Sequence, residues 1–171
     1  MKNQDIKFWR VWVNDQGKSC QTLHSLAGHK QSVFAEGAAP IWSALHYSGS
    51  AKLITLILMP GFVGEWHENP MPQWIIPLRG RCSFETMDGV IVEMGPGEIS
   101  FGGDQGTHNR KGHRSWAVGE TPAELLLIQV LDPPPWNPCD CEKVRSGISC
   151  TFCPCPSTFS PLDLERIPQT D

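Results

Sequence analysis

Residues 59–80, MPGFVGEWHENPMPQWIIPLRG, follow the pattern Gly61-x5-His67-x-Asn69-x3-Gln73-x6-Gly80. Two short runs of strand character, 64–68 and 74–78, flank a Pro-rich break at Pro70 and Pro72. Side chains alternate across a strand, so Glu65, His67 and Asn69 are expected to share one face and Trp66 the other. The same parity sets Trp74 opposite Gln73. One face therefore gathers a carboxylate, an imidazole and two amides.

Outward from this stretch, residues 6–132 read as short β-rich runs separated by turn signals, without sustained helical periodicity. Further strands are expected at 8–13, 32–34, 41–47, 53–59, 82–87, 90–93, 98–101, 115–118 and 124–131. Asn14-Asp15-Gln16-Gly17, Met87-Asp88-Gly89 and Gly95-Pro96-Gly97-Glu98 supply the residues that tight turns require. The expected class is all-β, and this number of strands suits a double-sheet jelly roll.

Composition narrows the function classes. A chain of 171 residues with seven Trp and seven Phe can fill one core. The net charge of -4 and the scattered Lys and Arg residues give no footprint for nucleic acid. Charges interrupt the apolar residues of the first segment, and the longest apolar stretch, 53–63, is too short to cross a bilayer. A cytoplasmic protein with no membrane or nucleic-acid partner is expected. Residues 1–132 are assigned to the folded domain. From 133 to 171 the composition turns to Pro, Cys and Ser, and this part is expected to be a disordered or irregular tail, with translated intron or another gene-model artefact from about Val144 onward as the alternative. Its cysteines, Cys139, Cys141, Cys150, Cys153 and Cys155, lack the paired knuckles of a zinc site. Cys20 and Cys82 are read as buried or incidental thiols.

A second motif lies downstream. Gly95, Pro96, Gly97 and Glu98 form a turn from which counting reaches His108, with Gly103 and Gln105 at intermediate motif positions. Counting back from the turn Gly119-Glu120-Thr121-Pro122 instead reaches His113, with the loop 102–112 then carrying an insertion. His113 is preferred because it heads a strand, whereas His108 sits among Gly, Asn and Lys.

In spacing and order these two motifs resemble those of the cupin superfamily, G-x5-H-x-H-x3-E-x6-G and G-x5-P-x-G-x2-H-x3-N. The resemblance covers about 33–132 and implies a cupin-type double-stranded β-helix, or jelly-roll barrel, with a pocket between its sheets and a homodimeric assembly. Residues before Val33 are expected to add strands at a sheet edge. The departures fall on the ligands, since Asn69 and Gln73 stand where cupins carry His and Glu. The resemblance implies a divalent metal (Fe, Mn, Ni or Zn) on His67, Gln73 and His113, weakened by the loss of one negative charge, or no metal at all.

Three readings follow. The first is a metal-dependent enzyme acting on a carbonyl or carboxylate compound, an oxygenase or Lewis-acid catalyst. The second is a metal-independent isomerase, cyclase, lyase or decarboxylase. In it Glu65, His67 and His113 exchange protons with a small-molecule substrate held by Asn69, Gln73 and His108. The third is a noncatalytic small-molecule-binding barrel. Trp42, Trp66, Trp74 and Trp116 are read as packing residues, and Arg79 as a surface residue beside the Gly80 turn.

Overall fold

The structure, a computed structural model, describes residues 5–132. They fall into two compact units, one of 5–26 with 45–132 and one of 27–44. The smaller unit holds a hairpin of β3 (Lys30–Ser32) and β4 (Ile41–Ser43), in which the Ser32 and Ser43 hydroxyls meet at 2.8 Å.

The larger unit contains β1 (Ile6–Val13), β2 (Ser19–Leu26), β5 (Ala51–Leu58), β6 (Gln73–Arg79), β7 (Arg81–Thr86), β8 (Ile91–Met94), β9 (Ser100–Gly102), β10 (His113–Val118) and β11 (Ala123–Val130). Six of these form a sheet in the order β2-β1-β9-β6-β11-β5, and three form a second sheet in the order β10-β7-β8. All pairings are antiparallel except β1 with β9. Among the described residues the only helical element is a 3-10 turn at His108–Arg110. No helix there is long and apolar enough to cross a membrane. The chain is all-β.

Alternation builds the core. In β11, Ala123, Leu125, Leu127 and Gln129 are buried on one face, and Ile75 of β6 shares it. These apolar residues pack against Cys82 and Phe84 of β7 and Val92 and Met94 of β8, so the main core lies between the two sheets. Each large apolar side chain buried there stabilises the fold by about 1.5–3 kcal/mol. On the opposite face of the large sheet, Phe8, Phe101 and Val130 form a second cluster with Trp74.

Pro77 is fully buried within β6, an unusual place for a residue without a ladder donor. β9 reaches only Gln73–Ile75, and the pairing with β11 shifts register where Leu125 meets Pro77 and Glu124 meets Arg79. The missing N–H is absorbed at this irregularity.

The expected additions ahead of Val33 are present: β1 and β2 form one end of the large sheet. Four segments differ from expectation. β2 was not anticipated, because SCQTLHSL lacks a β-branched alternation; its Ser19, Cys20 and Gln21 are nonetheless buried. The segment 32–34 is strand only at Ser32, and 41–47 only at Ile41–Ser43. The segment 64–68 is not a regular strand. It is held by isolated bridges, Val63 to Trp116 and His67 to His113, because Gly61, Gly64, Pro70 and Pro72 interrupt any longer ladder. The expected tail at 133–171 and its cysteines lie outside the described residues.

Candidate functional site

The bridge between His67 and His113 starts the site. Each backbone N–H donates to the other residue's carbonyl, at 2.8 and 2.9 Å, and the imidazole centroids stand 4.8 Å apart. Gly112 makes this approach feasible. It has φ +59°, and a Cβ there would lie 2.1 Å from the His67 carbonyl oxygen.

His113, only 3% exposed, faces inward from the start of β10. Its Nδ1 lies 2.6 Å from Oδ2 of Asp104, which is fully buried. A carboxylate accepts, so Nδ1 carries the proton and Nε2 is left as the reactive nitrogen. That Nε2 has no hydrogen-bond partner among the described residues and is not sealed from solvent. His67 is exposed and has the same tautomer, because its Nδ1 lies 2.8 Å from the Glu65 carbonyl, which can only accept.

Asp104 anchors a chain of buried amides. Its Oδ1 accepts from the Asn69 side-chain Nδ2 at 2.6 Å and from the Asn69 backbone N–H at 3.2 Å. Gln73 Nε2 donates to Asn69 Oδ1 at 2.6 Å, and Gln129 Nε2 donates to Gln73 Oε1 at 3.0 Å. Gly102 makes room for the chain, since a Cβ there would sit 2.2 Å from Asn69 Nδ2. Burial alone pushes the Asp104 carboxyl upward. The hydrogen bond and charge of His113, with the bonds from Asn69, outweigh it and hold the group below its ordinary value.

The loops are tied beside this chain. Glu68 Oε1 accepts from the Thr107 N–H and hydroxyl at 2.6 and 2.7 Å, and Thr107 Oγ1 accepts from the Gly112 N–H at 2.8 Å. Asn109 and Arg110 adopt φ values of +56° and +54°, conformations non-glycine residues rarely take. Outside, Trp66 carries Lys111 at 4.3 Å and Arg114 at 5.4 Å from its ring, a packing role.

Of the residues expected in the site, the structure brings together His67, His113, Asn69 and Gln73. Two do not join them. Glu65 is exposed and meets His67 only through its backbone carbonyl; along 64–68 Glu65 and His67 are the exposed residues and Trp66 and Glu68 the half-buried ones, so the side the two share is open to solvent. His108 is exposed on the 3-10 turn, where its backbone N–H binds the Gly17 carbonyl. Asp104 and Gln129 were not anticipated. Asp104 lies in Gly-Gly-Asp-Gln-Gly, where an Asp reads as a turn residue, and Gln129 lies within an apolar strand.

In the expected ligand set of His67, Gln73 and His113, the two imidazoles are adjacent and the Gln73 amide oxygen is bonded within the polar chain. Gln73 Oε1 accepts from Gln129, Asn69 Oδ1 accepts from Gln73, and both Asp104 oxygens are engaged. Two imidazole nitrogens remain, and among the described residues no group of three His, Cys, Asp or Glu is placed to hold a metal. Cys20 and Cys82 are buried away from this chemistry; burial, followed by the charge of Asp88, pushes Cys20 up to about 11, and burial pushes Cys82 up to about 12.

No family model matches the chain, and no curated protein matches it. Among solved structures, protein NMB1881 from Neisseria meningitidis is similar at 17% identity and a TM-score of 0.38, over 49% of this chain and 77% of that one. A likeness at that level bears on neither fold family nor function.

Proposed function

We propose that this chain is a cupin-like jelly roll whose His67–His113 pair performs acid–base chemistry on a small carbonyl or carboxylate compound without a resident metal, as an isomerase, cyclase, lyase or decarboxylase. The fold part is supported by the spacing from Gly61 to Gly80 and by the core between two sheets. The chemical part is carried by one observation, the buried 2.6 Å contact of His113 with Asp104 beside an exposed second imidazole.

The two histidines are inequivalent. The Asp104 carboxylate orients His113 and a neutral carbonyl orients His67, and on that geometry His113 is assigned as the proton donor and His67 as the base. In an isomerisation, His67 Nε2 takes a proton from the carbon beside a carbonyl, and the electron pair passes to the carbonyl oxygen. His113 Nε2–H meets that oxygen, and the proton returns at a different atom, so substrate and product have the same composition. Asp104 touches no substrate and is a positioning residue. Asn69 and Gln73 act through it.

One observation favours a noncatalytic binding protein instead: the amides of Asn69, Gln73 and Gln129 are occupied with one another. Incubation of the protein with pyruvate and 2-oxobutanoate in D2O, followed by proton NMR, separates the two. Acid–base catalysis gives loss of the C3 proton signal faster than buffer, insensitive to EDTA and abolished in His67→Ala and His113→Asn. Binding without exchange leaves the noncatalytic reading, and exchange that survives His113→Asn overturns the site assignment.

A further inference from the structure

A cleft of about 410 Å3 opens on the other face of the large sheet, lined by Arg10 and Trp12 of β1 and Phe101 of β9 together with Pro72, Asp15 and Gln105. Its volume falls within the range of about 300–1,000 Å3 typical of small-ligand sites. Arg10 and Phe101 are cross-strand neighbours, which sets a half-buried arginine beside a buried aromatic residue. Among the described residues no carboxylate ion-pairs with Arg10. Its charge is felt locally, because burial and then Arg10 hold the adjacent His24 imidazole below its ordinary value.

We propose that this cleft is a second small-molecule site, selective for an organic monocarboxylate with a planar apolar body. A guanidinium presents a planar fork of donors that matches a carboxylate. The apolar walls of Trp12, Pro72 and Phe101 cover the remainder of such a ligand. Asp15 in the same lining sets the charge limit. One cation facing one anion leaves no field for the second charge of a phosphate monoester. Gln105 donates its Nε2 to the Asn69 carbonyl, and no described residue uses its Oε1, so the cleft also offers an acceptor for a ligand hydroxyl or amide.

Benzoate is the probe, with benzamide as its neutral isostere and inorganic phosphate as the competing anion, titrated into the full chain by calorimetry. Benzoate is expected to bind, with benzamide and Arg10→Gln each weakening the interaction about tenfold or more through loss of the charge-assisted pair. His113→Asn is expected to leave benzoate binding unchanged, which separates this site from the histidine pair. Should Arg10→Gln melt below the wild type, Asp15→Asn decides; this exposed substitution removes the opposing charge and tightens benzoate about twofold. The proposal is overturned by absence of benzoate binding, by equal binding of benzamide, by stronger binding of phosphate, by retained affinity in a folded Arg10→Gln, by loss of benzoate binding in a folded His113→Asn, or by an Asp15→Asn variant that binds as the wild type does.

Discussion

Removing the Asp104 carboxylate tests whether the polar chain holds the two halves of the site together. In Asp104→Ala three buried donors lose their acceptor: His113 Nδ1, Asn69 Nδ2 and the Asn69 backbone N–H. Each orphaned buried donor costs about 1–3 kcal/mol, with the 3.2 Å backbone contact at the low end. Three such losses, the backbone one at the low end, give about 4 kcal/mol in total. Asp104→Asn keeps an acceptor for both Asn69 donors and fails only toward His113, which can switch tautomer to accept from the new amide. That variant should lose about 1–2 kcal/mol. The loss in the alanine variant is a large share of the roughly 5–15 kcal/mol that stabilises a domain. Urea unfolding followed by Trp fluorescence, with the slope unchanged, reads both values. An Asp104→Ala variant within about 1 kcal/mol of the wild type, or equal in cost to Asp104→Asn, would refute the account of this network.

Acid should act through the same group. The folded Asp104 pKa lies below its unfolded value, so its contribution is fully present above the unfolded pKa of about 3.8 and fades as pH falls through the folded one. Stability measured across this window should fall for the wild type and flatten for Asp104→Asn. Gly112→Ala forces a Cβ onto the His67 carbonyl at a left-handed φ. It should cost about 2 kcal/mol or more, read by thermal melting, and abolish isotope exchange by parting the imidazoles. Leu125→Ala, in the core between the sheets, should cost about 2–5 kcal/mol in urea while leaving the exchange rate of the folded fraction unchanged.

The strands that alternate were legible in the sequence. β1, β5, β6, β7, β8 and β11 lie within about two residues of their expected bounds, because apolar residues at period two mark a sheet with one buried face. β2 escaped because its inward residues are polar and are satisfied at long range: Ser19 Oγ donates to the Gly112 carbonyl, and Gln21 Nε2 donates to the carbonyls of Phe84 and Val90. No local pattern announces such partners. The same limit applies to the site. His67, Asn69, Gln73 and His113 were legible through spacing, whereas Asp104 acquires its role only when the loop after β9 folds back onto Asn69 and His113. Glu65 is exposed as His67 is, so the parity of the segment holds while the side they share faces solvent and not a barrel interior.

The order of strands in the large sheet has a consequence for the chain as it leaves the ribosome. β6 lies between β9 and β11, neither of them its neighbour in sequence, and Gln73 finds Gln129 only across 56 residues. Until β11 has emerged, the nascent chain holds Ile75, Ile76 and Leu78 on a strand with one open edge, and an open apolar edge is a template for pairing between chains. Long-range pairing of this kind is slow relative to local structure. Soluble yield should therefore depend on how quickly synthesis delivers residues 123–130 and on chaperones that cover the open edge in the interval.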